Sequence, residues 1–115
     1  MTAKNGAMTE AVRHDAGATL ENIRVLLEGG LTTEVQPRAD THEAVAAFLN
    51  RLREAGDDLA SKLVIGGFTL DPVEHVGIEQ ACETCMYYLV HQRFCELPEL
   101  KLPVEPQWSC RLWRI

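Results

Sequence analysis

Four cysteines carry the chemistry legible in this chain: Cys82, Cys85, Cys95 and Cys110, in the pattern Cys-x2-Cys-x9-Cys-x14-Cys. Three chemistries suit four thiols. Two disulfides would need an oxidising compartment, and Cys82 and Cys85 are better placed to share one metal than to take two separate partners. A zinc ion accepts four thiolates in a tetrahedron, and a Cys-x2-Cys pair makes half of such a site. The other half would come from Cys95 and Cys110, which stand far apart in sequence, a less common arrangement. An iron–sulfur cluster presents its irons at separate corners, so its ligands arrive from several directions. A pair plus two isolated cysteines meets that need.

The aromatic residues favour the cluster. Five of the seven lie among the cysteines: Tyr87, Tyr88, Phe94, Trp108 and Trp113. A small lobe with little core would use large side chains simply to fill space. Each cysteine group also has an aromatic residue within three positions. That suits a centre whose potential and survival depend on excluding water.

The stretch Cys82-Glu-Thr-Cys85-Met-Tyr-Tyr88 is followed by Cys95-Glu-Leu-Pro98, then by Val104 and Trp108-Ser-Cys110-Arg-Leu-Trp113. In this order of residues, 82–113 resemble the cluster-binding part of the high-potential iron–sulfur proteins. The resemblance implies a small soluble electron-transfer protein, not an enzyme. It implies one [4Fe–4S] cluster on Cys82, Cys85, Cys95 and Cys110, cycling between its 2+ and 3+ levels. Tyr87, Tyr88, Trp108 and Trp113 would screen it from water. The chain differs from the family in a shorter gap from Cys85 to Cys95 and in Ser109, which stands between the tryptophan and the last cysteine. The alternative is a zinc-stabilised interaction module, or an accessory subunit of a larger enzyme, with the four cysteines as a staple.

The elements that must position these cysteines are mostly helical by pattern. Residues 1–18 show no sustained apolar period and are read as a flexible arm. Leu20, Ile23, Leu26 and Leu27 share one face of a helix over 19–28, closed by Gly29-Gly30. Leu31 to Gln36 is β-prone and fits a short strand or an extended loop. A helix over 41–55 carries the stripe Val45, Phe48, Leu49 and Leu52, with Asp40 as its cap and Glu43 completing a capping box. Asp57-Asp58 starts a shorter helix over 58–65. Asp71-Pro72-Val73-Glu74 reads as the start of a fourth, over 72–81, delivering Cys82. Gly77 weakens it by about 1 kcal/mol. Beyond Cys95, Pro98, Pro103 and Pro106 bar a helix. Leu97, Leu100, Leu102 and Val104 nevertheless give that segment a buried side. The expected fold is a small, mainly α domain: a helical part over 19–81 and an irregular Cys-rich metal-binding lobe over 82–115.

Composition sets the outer bounds. The 115 residues suffice for one modest core. The net charge is −6, all of it contributed by residues 1–81. An acidic chain lacks the basic footprint that nucleic acid or an anionic membrane would require. The longest apolar runs, such as Ala44 to Leu49, are six residues, far too short to span a membrane. The opening residues show no apolar leader, so the chain reads as cytoplasmic. Its expected partner is a redox protein or a larger enzyme. Asp71, Glu74, Glu79 and Glu83 read as a solvated helix face, or else as an acidic docking patch for such a partner. His91 lies between the cysteines and reads as a surface residue; His14, His42 and His75 carry no assigned chemistry. A thioredoxin-like dithiol finds no βαβ context before Cys82. No phosphate loop, zinc-protease motif or hydrolase triad is present.

Overall fold

Three helices form where the apolar spacing expects them. The computed structural model describes residues 18–115. Apart from Ala18, the expected N-terminal arm lies outside the described residues, as does His14. Helix α1 spans Leu20–Glu28, capped by the Thr19 hydroxyl, which accepts from the Asn22 amide at 3.1 Å, and buries Ile23 and Leu27. Helix α2 spans His42–Ala55 and buries Phe48 and Leu52. Its cap is Thr41 and not Asp40: the Thr41 hydroxyl accepts from the Ala44 amide at 3.1 Å. Asp40 instead meets His75 Nε2 at 2.9 Å. Helix α3 spans Leu59–Gly66, capped by Asp58. It stops at Gly67, whose φ of 64° is left-handed and where a Cβ would stand 2.3 Å from the Glu34 carbonyl oxygen. Only glycine satisfies both demands.

The chain beyond α3 overturns the expectation of a mainly α fold. Residues 72–81 form no helix. Strand β1 (Val73–His75) pairs antiparallel with β2 (Ile78–Gln80), Glu74 standing opposite Glu79. Val76 and Gly77 both have positive φ, as a two-residue primed hairpin turn requires. Val73, Val76 and Ile78 are β-branched, and no apolar stripe at helical spacing exists to repay a helix through burial. Thus Glu74, Glu79 and His75 sit on a hairpin and share no helix face.

The Cys-rich segment is not irregular either. After a single 3₁₀ turn at Cys82–Thr84, strands β3 (Tyr88–Leu89), β4 (Phe94–Cys95) and β5 (Leu102–Pro103) form an antiparallel sheet in that order. Arg93 and Lys101, each one residue before a strand, adopt left-handed φ values of 47° and 48°. The β-prone stretch Leu31–Gln36 is an extended loop, tied to α3 by the Glu34 amide donating to the Val64 carbonyl at 2.9 Å.

One apolar cluster joins the two parts of the chain. Ile23, Leu27, Phe48, Leu52 and Leu63 from the helices pack with Leu97, Leu100, Leu102, Val104 and Trp108 from beyond β4. The expected buried side of the proline-rich segment is thus real. Among the described residues no helix is long and apolar enough to cross a membrane.

Candidate metal centre

Cys82 opens the 3₁₀ turn directly after β2, and its amide donates to the Trp108 carbonyl at 2.6 Å. The Cys85 amide donates to the Cys82 carbonyl, and the Tyr88 amide to the Cys85 carbonyl, each at 3.0 Å. Cys95 lies in the middle strand of the sheet, opposite Tyr88 on one side and Leu102 on the other. Cys110 is delivered by a bridge between Thr69 and Ser109, whose amides and carbonyls exchange bonds at 2.9 and 3.1 Å. These four routes converge. Cys82, Cys85, Cys95 and Cys110 all line one small pocket. Its remaining wall is Phe68, Tyr88, Val104 and Trp113, and it is almost wholly apolar. All four cysteines are free thiols; Cys82, Cys95 and Cys110 are buried and Cys85 is partly exposed.

Burial, and the neighbouring thiols after it, raise the pKa of Cys82, Cys95 and Cys110. Burial pushes Cys82 strongly upward, and the charges of Cys110, Cys95 and Cys85 push it further. Burial is also the chief cause for Cys95, raised to about 11, where an amide bond from Leu97 works in the opposite direction. Cys110 is pushed up by burial and by Cys95 and Cys85, against a bond from the Leu112 amide and the charge of Arg38. Buried thiols so placed become thiolates together only when a cationic centre among them compensates their charge. Among the described residues, no group of three or more His, Cys, Asp and Glu side chains is placed to hold a single metal ion.

The aromatic residues divide. Tyr88 and Trp113 wall the cavity, and the Trp113 indole is pinned by donating to the Ala81 carbonyl at 2.9 Å and the Thr84 hydroxyl at 3.0 Å. Trp108 does not line it; it is 1% exposed within the shared core. Tyr87 packs against that core from its edge. Phe68 is the wall residue missed in the sequence. It follows α3, and the Thr69–Ser109 bridge and the Arg111 amide bond to the Gly66 carbonyl carry it to Cys110. No local spacing signals that pairing. His91 is exposed.

Comparison of the chain with protein-family models, curated proteins and solved structures returned no match.

Proposed function

We propose that this chain is a one-electron carrier in which Cys82, Cys85, Cys95 and Cys110 hold one [4Fe–4S] cluster of the high-potential kind. The observation that carries this reading is that all four cysteines line a single apolar cavity. A cluster needs ligands arranged around a volume. The zinc alternative asks four thiolates to meet at one point, with sulfurs about 3.8 Å apart for bonds of about 2.3 Å, and no such group occurs among the described residues.

When bound, the cluster supplies a centre that accepts one electron from a donor redox protein and releases it to an acceptor. The chain's residues set the conditions. Phe68, Tyr88, Val104 and Trp113 exclude water. The Leu97 and Leu112 amides near Cys95 and Cys110 favour negative charge on those sulfurs, against the effect of burial. Cys85, the least buried of the four, marks the edge at which the centre comes nearest to solvent and to a partner.

Metal analysis of anaerobically reconstituted protein tests this. Iron and acid-labile sulfide should each reach about four per chain, with broad visible absorbance. A colourless chain with one zinc would replace this reading with the zinc-stabilised module or accessory subunit.

A further inference from the structure

Two arginines are buried among the described residues, and they are treated differently. The Arg111 side chain is 1% exposed, but its guanidinium pairs with the Glu34 carboxylate and lies 3.6 Å over the Phe48 ring. Arg38 is 3% exposed. Its guanidinium donates to Gln80 Oε1 at 3.0 and 2.7 Å, to the Val35 carbonyl at 3.2 Å, to the Ser109 hydroxyl at 3.1 Å and to the Cys110 carbonyl at 2.8 Å. Every one of these acceptors is neutral. They satisfy its hydrogen bonds without compensating its charge, and a buried charge without compensation is costly. Among the described residues no carboxylate forms an ion pair with Arg38. Asp40, two positions along, is exposed and turned to His75.

Arg38 adjoins the cysteine site through the backbone of Cys110. Its fork is also set by two residues whose identities are otherwise unexplained. Gln80 is a buried amide where a glutamate of the same shape would neutralise the arginine. Ser109, 0% exposed, is the residue that separates Trp108 from Cys110, and its hydroxyl is spent on Arg38.

We propose that Arg38 is the buried counter-cation of the four-cysteine centre and raises its reduction potential, with Gln80 and Ser109 as the positioning residues that hold it there uncompensated. The proposal rests on the cluster reading. Reduction adds one negative charge to the centre. A fixed positive charge behind Cys110, in a water-excluded site, stabilises the reduced form more than the oxidised form.

The test is a spectroelectrochemical titration of reconstituted wild type, Arg38→Met, Arg38→Lys and Gln80→Glu. Gln80→Glu keeps the arginine and its hydrogen bonds but cancels its charge, so it remains informative if Arg38→Met folds poorly. At the wild-type midpoint, the reduced-to-oxidised ratio should fall about tenfold in Arg38→Met, equivalent to about 59 mV for a one-electron couple. It should fall in the same direction in Gln80→Glu and stay nearer wild type in Arg38→Lys. The gain in melting temperature on loading the apo chain should also shrink in Arg38→Met and Gln80→Glu, whereas a purely structural role would lower apo and loaded forms alike. Unchanged potentials in a loaded Arg38→Met or Gln80→Glu would overturn the proposal and leave the cluster reading standing. An equal drop in Arg38→Lys and Arg38→Met would overturn it too, because charge would not be the cause. If wild type takes up no iron and sulfide, the cluster reading fails and this proposal fails with it.

Discussion

The helices and the cysteine segment solve the same problem by opposite means. Each of α1, α2 and α3 closes its own first turn with a side chain one position away: Thr19, Thr41 and Asp58. Most of their backbone bonds are local. The cysteine segment has a three-residue 3₁₀ turn and strands of two residues. Beside its local turns, it is held by backbone bonds that reach across the chain: Cys82 to Trp108, Glu83 to Pro106, Met86 to Arg114, and Arg111 to Gly66. Little of it can form before the rest is in place. A centre tying four cysteines together would supply the cooperation that local bonding supplies to a helix.

Removing the proposed centre from reconstituted protein should therefore be the largest perturbation, and an uneven one. Amide exchange measured on the metal-loaded and chelated protein should rise most at Cys82–Leu89, at Phe94–Cys95 and at Trp108–Trp113. The cores of α1, α2 and α3 should change less. An equal rise in the helices would erase the distinction between the two regions.

Glu34 is the tie between them. It accepts from Arg51 on α2 through both carboxylate oxygens, each at 2.7 Å, and from Arg111 beside Cys110. The hydrogen bond from Arg51 first, and that from Arg111 against the effect of burial, pull its pKa from the ordinary 4.5 down to about 2. A carboxylate lowered on folding contributes stability that is complete above its unfolded value and disappears as pH falls through its folded one. The contribution from Glu34 should thus fade between pH 4.5 and about 2. Glu34→Gln should cost about 1–2 kcal/mol at neutral pH, well below the cost of breaking a fully buried pair because Glu34 itself reaches water. It should also flatten the loss of stability across that acid window. Denaturant titrations of both proteins at a series of pH values would show it; parallel acid limbs would mean that Glu34 is not the link.

The two tryptophans sharpen the contrast within the cysteine segment. Trp108 belongs to the shared core, so Trp108→Leu should cost about 1–3 kcal/mol through lost packing. Trp113 belongs to the cavity wall, and Trp113→Leu should admit water to the sulfurs. A thermal melt should register the first substitution, and faster bleaching under oxidant the second. Bleaching at the wild-type rate in Trp113→Leu would remove the indole from the screen.

Legibility in the sequence divides along the same line. Leu20, Ile23 and Leu27, or Phe48 and Leu52, repeat at the helical period because each helix buries one stripe, and the period survives in the residues themselves. The four cysteines are legible as one set because few roles suit four thiols at that spacing. Their walls are not. Tyr88 and Trp113 lie near cysteines in sequence, whereas Phe68 and Val104 arrive through pairings with distant residues. Strands of two residues are too short to display alternation. The hairpin at 73–80 is disguised because Asp71-Pro72-Val73-Glu74 imitates a helix start. The deciding residues come later: Val76 and Gly77 with positive φ, and no stripe behind them. Arg38 is invisible in the sequence, because nothing around it there resembles a site.

The smallest effect tests the most local reading. Asp40 and Thr41 are adjacent, and both are good caps by residue type. In the sequence, Asp40 looks stronger because Glu43 stands three residues on, as in a capping box. The structure assigns the role to Thr41, whose backbone is extended and whose hydroxyl accepts from the Ala44 amide. Asp40 is committed elsewhere, to His75 across the gap to β1. Thr41→Ala should cost about 1 kcal/mol, the usual loss of an N-cap. Asp40→Ala should leave the helix end intact and change only an exposed contact, worth about 0–1 kcal/mol. Urea titrations of the two variants, with amide exchange at Ala44 and Val45 as the local readout, separate them. Faster exchange at Ala44 in Thr41→Ala, with Asp40→Ala at the wild-type rate, is the expected result. The reverse would return the cap to Asp40, and would mean that even the helical region is tied together by longer-range contacts than its caps suggest.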